Sequence, residues 1–497
     1  MDRRRDLSRL GPSFGVSVPE RRSRAVVPFL DRPGAILEIK RASPSKGDIA
    51  PNLDPAVLTA AYADAGASAV SVLTERNYFR GSLADLIAAS ASRPGLAYLR
   101  KDFLLEEDEL EISYRAGADA VLLIARILDE GNLKRMAAAC RSFGMMPFVE
   151  VREESDVAKL RAVAADGPVL SGVNARDLAT FSIDPLAPAA LRCALPGAAV
   201  YESGIDSPEA AAYARRLGFD GILVGEAAAR NPGMAASVVA GFLGARPDGA
   251  GAFWRAVAER RAGTRRPLVK ICGLTRPDDA LLAARLGADL LGFVFAESKR
   301  TADGATVREL ARSLSAGKNT PLRVGVMTEL DSAPARQALS LARDGFLDAI
   351  QWHGEGSAAS LAALEAALTA QDAETMPIRI GRYAAIRLGH EDDLAVYDGL
   401  RKAGEPRVLA DARVEGLAGG TGVAVPASLA GSLAARGGLW LAGGLGPGGS
   451  ASLPVGQAIT SYAPELIDAS SKLETSPGRK DPILMERYFK EIEQHAR

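Results

Sequence analysis

Leu268-Val-Lys-Ile-Cys-Gly-Leu-Thr-Arg276 decides how the chain is read. A largely apolar run ends in a cysteine, a glycine follows, and an amphipathic stretch begins. That is the order strand, loop, helix, with a thiol where the strand stops. Further on, Arg407-Val-Leu-Ala-Asp-Ala412 puts a carboxylate at a strand end, ahead of Gly419-Gly-Thr-Gly422. Leu439-Trp-Leu-Ala-Gly-Gly-Leu-Gly446 then supplies a glycine-rich turn. A thiol, an acid and backbone donors at the ends of parallel strands suit sugar-phosphate chemistry at one mouth of a barrel.

The same rhythm runs outward in both directions. Before it, short apolar runs near 35–40, 69–74, 97–103, 120–125, 146–151, 170–174, 199–203 and 221–225 alternate with Ala-rich helical stretches. After it, runs near 268–273, 290–295, 323–327, 349–354, 377–388, 407–412, 439–445 and 466–471 do the same. The runs are short and do not alternate in polarity, as expected of strands buried on both faces. Eight units per half predict an α/β chain of two tandem (β/α)8 TIM barrels. Gly66-Ala-Ser-Ala-Val, Gly117-Ala-Asp-Ala-Val, Gly218-Phe-Asp-Gly-Ile and Gly287-Ala-Asp-Leu-Leu form a weak internal echo, each glycine closing a helix before a strand. The expected domains are 1–245, with a leading helix over 1–30, and 267–497. A boundary helix over 246–266 lies between them.

Length and composition agree. A chain of 497 residues exceeds one usual core, and two halves near 250 residues match the size of this barrel. Net charge is −1 with no long basic run, which argues against a nucleic-acid partner. No stretch is apolar enough for a bilayer, and no apolar signal core follows Met1-Asp-Arg-Arg-Arg-Asp6, so a cytoplasmic location is expected. Cys140, Cys193 and Cys272 are far apart, and with His353, His390 and His495 they make no convincing metal set. No metal or cofactor is expected, and two cores of this size suit a monomer acting on small phosphorylated substrates.

In the first half, chemistry gathers at strand ends. Strand 1 ends Glu38-Ile-Lys-Arg-Ala-Ser-Pro-Ser-Lys-Gly47, where alternation puts Glu38 and Lys40 on one side. Leu99-Arg-Lys-Asp-Phe103, Phe148-Val-Glu-Val151, Gly172-Val-Asn-Ala-Arg-Asp-Leu178, Tyr201-Glu-Ser-Gly-Ile205 and Leu223-Val-Gly-Glu226 end later strands. One such charge is usually a surface salt bridge. Two lysines, three glutamates and an asparagine at the active face of this fold are not explained that way.

These motifs resemble indole-3-glycerol-phosphate synthase over roughly 30–240. The resemblance implies ring closure of 1-(2-carboxyphenylamino)-1-deoxyribulose 5-phosphate, with loss of carbon dioxide and water. It implies that Lys101 is the general acid for closure and that Lys40 and Glu38 flank the reacting centre. Glu38 and Glu150 are both acid–base candidates for the dehydration. Asn174, Arg176 and Glu202 would position substrate. Ser43, Ser203, Gly204 and Gly225 are phosphate-site candidates.

In the second half, Lys270-Ile-Cys-Gly-Leu-Thr275, Gly292-Phe-Val-Phe295 with Ser298-Lys-Arg300, Gln351-Trp-His-Gly354, Asp411 with Gly419-Gly-Thr-Gly422, and Ala442-Gly-Gly-Leu-Gly-Pro447 resemble phosphoribosylanthranilate isomerase over about 268–490. That resemblance implies an Amadori rearrangement whose product is the substrate of the first half. Opening a furanose needs a proton on the ring oxygen, which Asp411 can give if its pKa is raised. Removing the sugar C2 proton needs a base, and Cys272 with a lowered pKa can serve. A lone cysteine is more often an inert small hydrophobe, which suits Cys140 and Cys193. Arg300 and His353 are assigned to the anthranilate part, against the competing readings of a solvated arginine and a core histidine. Gly443, Gly444, Gly446, Ser470 and Ser471 are phosphate-site candidates.

Two segments depart from that family. Val423-Ala-Val-Pro-Ala-Ser428 lacks its aromatic–Asp pattern. Asp468-Ala-Ser-Ser-Lys472 stands where an Asn-Ser-Gly-Val type ending is usual. The competing reading is a synthase whose second barrel has lost turnover and serves as a binding or stabilising partner. A sugar-phosphate isomerase of histidine synthesis would show paired aspartates at strands 1 and 5, and neither half does.

Overall fold

The computed structural model describes residues 2–44, 46–177, 180–314, 320–354, 358–369, 380–413 and 422–496. Ser45, Leu178, Gly419-Gly-Thr421 and the start of the 377–388 run lie outside the described residues. The chain divides into two compact units, Met1–Pro247 and Asp248–Arg497.

The first unit is a closed barrel of eight parallel strands. These are β1 (Gly34–Ile39), β2 (Ala69–Leu73), β3 (Ala97–Lys101), β4 (Ala120–Ile124), β5 (Met146–Val151), β6 (Leu170–Asn174), β7 (Ala199–Glu202) and β8 (Gly221–Val224). Each pairs with its neighbours in sequence, and β8 closes onto β1. Every residue of β1, β2 and β4 is buried, as the unbroken apolar runs require. Several helices between strands start at side-chain caps. Asp54 accepts from the Ala56 and Val57 N–H groups and Ser207 from Ala210, each followed by proline in the first turn. The four echo glycines have φ of +86, +104, +90 and +99°, the left-handed turn that ends a helix and releases the next strand.

Ahead of β1, the helix covers only Asp2–Leu10, short of the expected 1–30. Gly11, Pro12, Gly15 and Pro19 break helical continuity. The irregular segment beyond is pinned by Arg22 and Arg24, which grip the Asp119 carboxylate at 2.6 and 2.7 Å. Leu30 then packs against Gly34 and Gly221, the first residues of β1 and β8, and with Phe29 plugs the N-terminal end of the barrel.

The second unit repeats the architecture with β9 (Leu268–Ile271), β10 (Leu290–Val294), β11 (Leu322–Met327), β12 (Ala349–Trp352), β13 (Gly381–Leu388), β14 (Val408–Ala412), β15 (Trp440–Leu441) and β16 (Leu466–Ala469). β16 pairs with β9, with Lys270 opposite Asp468. The stretch 246–266, read in the sequence as a boundary, holds the helix Gly249–Ala262, and that helix belongs to this unit. Its Phe253 stacks on Tyr383 at 6.2 Å and 4°, and Trp254 meets Trp440 at 5.7 Å. Phe253 also presses on Gly381, and Gly381 and Trp440 open their strands, so the helix plugs the N-terminal end of this barrel.

Candidate active sites

In the first barrel the strand ends bring five ionisable residues together. Lys101, last of β3, lies 2.5 Å from Glu202 and 3.9 Å from Glu150. Glu38 accepts from the Ser71 hydroxyl at 3.3 Å and pairs with Lys40 at 3.3 Å. A side chain at Gly225 would strike Glu38 at 2.6 Å, so the glycine is needed for the approach of β8 to β1. Asn174 accepts from the Ser203 hydroxyl at 2.8 Å and also bonds Glu150, which links the β5, β6 and β7 ends.

The electrostatics separate acid from cation. Burial, then the neighbouring Glu202, push Glu150 up to about 8, so this carboxyl keeps its proton at neutral pH. Burial alone would lower Lys101, but Glu202, Glu38 and Glu150 outweigh it and hold its pKa above the usual lysine range. A protonated carboxyl beside a permanent ammonium is a pair of proton donors in a partly buried site.

Ser203 and Gly204 have φ of +69 and +74°, a kink after β7 in which Ser203 takes a conformation uncommon for a non-glycine residue. Gly204 packs against Ile183 of the loop after β6. Two expected residues stand apart from the cluster. Ser43 is buried in the hairpin Ala42–Ser43 with Gly47–Asp48. The Arg176 guanidinium donates to the Phe181 carbonyl at 3.2 Å, while its N–H donates to Asn174. Phe79, which carried no signal in the sequence, places its ring 5.3 Å from the Lys40 ammonium.

In the second barrel, Cys272, Arg300, His353, Asp411, Gly443, Gly444, Ser470 and Ser471 line one cleft of about 270 Å3. Gly446 lies beneath it, against Lys472. Cys272 follows β9, and Gly292 on β10 leaves room for its sulfur, since a side chain there would approach it to 2.7 Å. The thiol corrects the expectation of a lowered pKa. Burial pushes it up, and Lys270 and Lys480 only partly pull it back. Burial likewise raises Asp411, in line with its expected acid form, although the Ala412 N–H donates to it at 2.8 Å.

His353 sits against Asp411, with Nε2 3.4 Å from Oδ2 but without hydrogen-bond alignment. Its tautomer follows from the neighbours. The Lys270 ammonium and the Tyr383 hydroxyl both donate to Gln351 Oε1, at 2.7 and 3.0 Å. The Gln351 amide therefore turns its NH2 toward His353 Nδ1 at 3.3 Å, which leaves the ring proton on Nε2, facing the carboxylate. Burial, Arg387 and Lys270 lower this histidine to about 4, so it is neutral at neutral pH. Arg300 lines the cleft but is held by Glu474 through bonds of 2.8 to 3.0 Å.

Several contributors were quoted in the sequence without a role, or missed. Lys270 is fully buried and bonds Asp468 at 2.5 Å. Its spacing of two from Cys272 on one strand was the available signal. Lys480 donates to the Cys272 carbonyl at 2.6 Å and to Glu474 at 2.9 Å. Arg387 donates to the His353 carbonyl at 3.1 Å, and its Nε is buried without a partner among the described residues. Among the described residues, no group of three or more His, Cys, Asp or Glu could hold a metal ion, and no described helix is long and apolar enough to cross a membrane.

Comparison with known proteins follows the same division. The family model for indole-3-glycerol phosphate synthase matches residues 17–240, and that for N-(5'-phosphoribosyl)anthranilate isomerase matches 269–491. The indole-3-glycerol phosphate synthase of a Roseiflexus species is 40% identical over 232 residues, which are 45% of this chain and 85% of that protein. The chain belongs to these two families, synthase first and isomerase second. The multifunctional tryptophan biosynthesis protein of Schizosaccharomyces pombe is 36% identical over 293 residues, covering 56% of this chain. This chain spans about a third of that relative's length, the matched part being 36% of it. Among solved structures, phosphoribosyl anthranilate isomerase from Thermotoga maritima is 29% identical, with 46% of this chain and 99% of that chain covered and a TM-score of 0.37. The two barrels are called the synthase barrel and the isomerase barrel below.

Proposed function

We propose that the chain catalyses two consecutive reactions of tryptophan biosynthesis. The isomerase barrel converts N-(5-phosphoribosyl)anthranilate to 1-(2-carboxyphenylamino)-1-deoxyribulose 5-phosphate. The synthase barrel closes that product to indole-3-glycerol phosphate, releasing carbon dioxide and water. The observation that carries the reading is that Cys272 and Asp411 line one cleft with the Gly443–Gly444 turn, Ser470 and Ser471.

In the isomerase barrel, Asp411 gives its proton to the furanose oxygen, the C1–oxygen bond breaks and an imine forms. Burial of Asp411 favours the acid form this needs. Cys272, as thiolate, takes the C2 proton, and the resulting enolamine becomes the ketone. Burial disfavours that thiolate, and Lys270 and Lys480 are the charges that favour it. The neutral His353 packs beside Asp411 without adding charge. Gly443, Gly444, Gly446, Ser470 and Ser471 hold the phosphate, and Arg300 faces the anthranilate carboxylate.

In the synthase barrel, Lys101 protonates the substrate carbonyl as the ring carbon attacks it, and carbon dioxide leaves the same ring carbon. Glu150, protonated at neutral pH, then gives a proton to the departing hydroxyl. Glu38 and Lys40 flank the reacting carbon, Asn174, Arg176 and Glu202 position the chain of the substrate, and Ser43, Ser203, Gly204 and Gly225 hold its phosphate. The reading includes a cytoplasmic monomer that needs no metal or cofactor, in keeping with two cores each of self-sufficient size.

The test is a split assay on purified protein. Substrate fluorescence loss and indole-glycerol phosphate formation are followed in wild type, Cys272→Ala and Lys101→Ala. Cys272→Ala should stop the first step yet convert added intermediate, and Lys101→Ala should accumulate intermediate. Wild type that converts only the added intermediate would refute an isomerase role for the second barrel.

A further inference from the structure

The cations around the isomerase cleft are mostly spoken for. Arg300 and Lys480 both bond Glu474, and Lys270 bonds Asp468. A phosphate dianion entering beside Gly443, Gly444, Ser470 and Ser471 finds each of these cations already engaged by a carboxylate, Arg300 and Lys480 sharing one. Lys472 is different. It is half-buried in the short helix Ser471–Leu473 and has no carboxylate partner among the described residues.

Its course is set by two glycines. The stem crosses Gly446, where an added Cβ would sit 2.7 Å from Lys472 Cβ. The ammonium ends beside Gly422, where an added Cβ would lie 3.2 Å from Nζ and 3.3 Å from Ser471 Oγ. Gly422 itself packs on Gly444, whose own Cβ would lie 3.0 Å from the Gly422 carbonyl. Gly422, Gly443, Gly444, Ser470 and Ser471 all line the cleft. An unmatched ammonium, two hydroxyls and a glycine turn therefore converge at one edge of it. This is also where the sequence departs from the isomerase family, with Ser470-Ser-Lys472 in place of the usual ending.

We infer that Lys472 is the cation of the phosphate subsite in the isomerase barrel, binding the substrate's phosphate by a charge-assisted hydrogen bond. The inference rests on the isomerase reading above and adds a binding residue to it. The ammonium acts on a group remote from the reacting carbon, so it contributes to binding rather than to the proton transfers.

Lys472→Met keeps the stem and removes the charge, and Lys472→Arg restores it. Steady-state kinetics of the two steps are measured separately, with inorganic phosphate as competitive inhibitor of each. A charge-assisted bond lost at a partly exposed site should raise KM and the phosphate inhibition constant of the isomerase step about tenfold. The isomerase kcat should hold, Lys472→Arg should recover most of the loss, and the synthase step should be unmoved. Unchanged KM and inhibition constant in Lys472→Met, with wild type active, would overturn the inference and leave the isomerase reading standing. An inactive second barrel would overturn that reading instead. Calorimetric titration of inorganic phosphate then decides the role of Lys472. Wild type should bind phosphate at the isomerase barrel about tenfold more tightly than Lys472→Met, and identical isotherms would sink it.

Discussion

Replacing Glu202 by glutamine separates two jobs that one carboxylate performs in the synthase barrel. Glu202 is the nearest partner of Lys101, at 2.5 Å, and the neighbouring charge that helps to raise Glu150. Glutamine keeps the shape, which matters because Oε1 lies against Gly172. Lys101 retains Glu150 at 3.9 Å and the charge of Glu38 nearby, so the ammonium persists. Glu150 loses its repelling neighbour and its pKa falls. Now at about 8, it is about three-quarters protonated at pH 7.5. For every pH unit that it falls, the acid form at pH 7.5 drops several-fold, to about one-quarter after the first, and the dehydration step drops with it. The assay is kcat against pH for ring closure, followed by indole absorbance with the carboxyphenylamino-deoxyribulose phosphate supplied. The basic limb, near pH 8 in wild type, should move to lower pH in Glu202→Gln and disappear in Glu150→Gln. A limb that stays at pH 8 in Glu202→Gln, with the rate lowered equally at every pH, would refute the reasoning.

Three further outcomes follow from the same geometry. Lys270→Met should slow alkylation of Cys272 by iodoacetamide at pH 8, and Asp468→Asn should speed it, because one removes a charge that favours the thiolate and the other a charge that opposes it; peptide-resolved mass spectrometry separates Cys272 from the exposed Cys193, and shifts of the same sign would contradict this. Glu150 binds its proton more tightly folded than unfolded, so native stability falls as pH rises from the ordinary glutamate pKa to about 8 and stays lowered above it. Glu150→Gln should therefore raise the melting temperature more at pH 9 than at pH 5, and equal gains would exclude the carboxyl as the cause. Trp254→Ala, which opens the plug under the isomerase barrel, should cost about 3–5 kcal/mol, or about 6–20 °C in the melting of that unit by calorimetry; a drop below about 2 °C would mean that the plug is not part of the folded core.

The barrels were legible because most strands are short, largely apolar runs bounded by glycine or polar residues, and runs buried on both faces have no competing period to obscure them. The run at 377–388 was hard to register, and the described strand begins only at Gly381. That is why Arg387 went unnoticed at its end. The helix Gly249–Ala262 read as a boundary because Gly244-Ala-Arg-Pro-Asp-Gly-Ala-Gly251 and Gly263-Thr-Arg-Arg-Pro267 at its two ends have linker composition, although Phe253, Trp254, Val257 and Ala258 are spaced along one buried face. Site residues could be named when a strand end carried an unusual group, as with Lys101, Cys272 and Asp411. The charges around Cys272 could not, because Lys270 and Asp468 meet only through barrel closure. The pKa of Cys272 ran opposite to expectation for a similar reason: burial is a property of the assembled cleft, not of the neighbours in sequence.

The seam between β9 and β16 has a consequence for the order in which the molecule comes into being. Lys270 and Asp468, 198 residues apart, face each other across it. At about 5–20 residues per second, a ribosome takes about 10–40 s to make the second after the first. Through that interval β9 has an unpaired edge and a buried-type lysine still in water, and Cys272 lacks the neighbours that tune it. A nascent or truncated chain can display every catalytic residue up to Asp411 and still possess no isomerase cleft. On the proposed reading, isomerase turnover is a readout of completed closure, a quality check written into the place where the first strand of the barrel waits for the last.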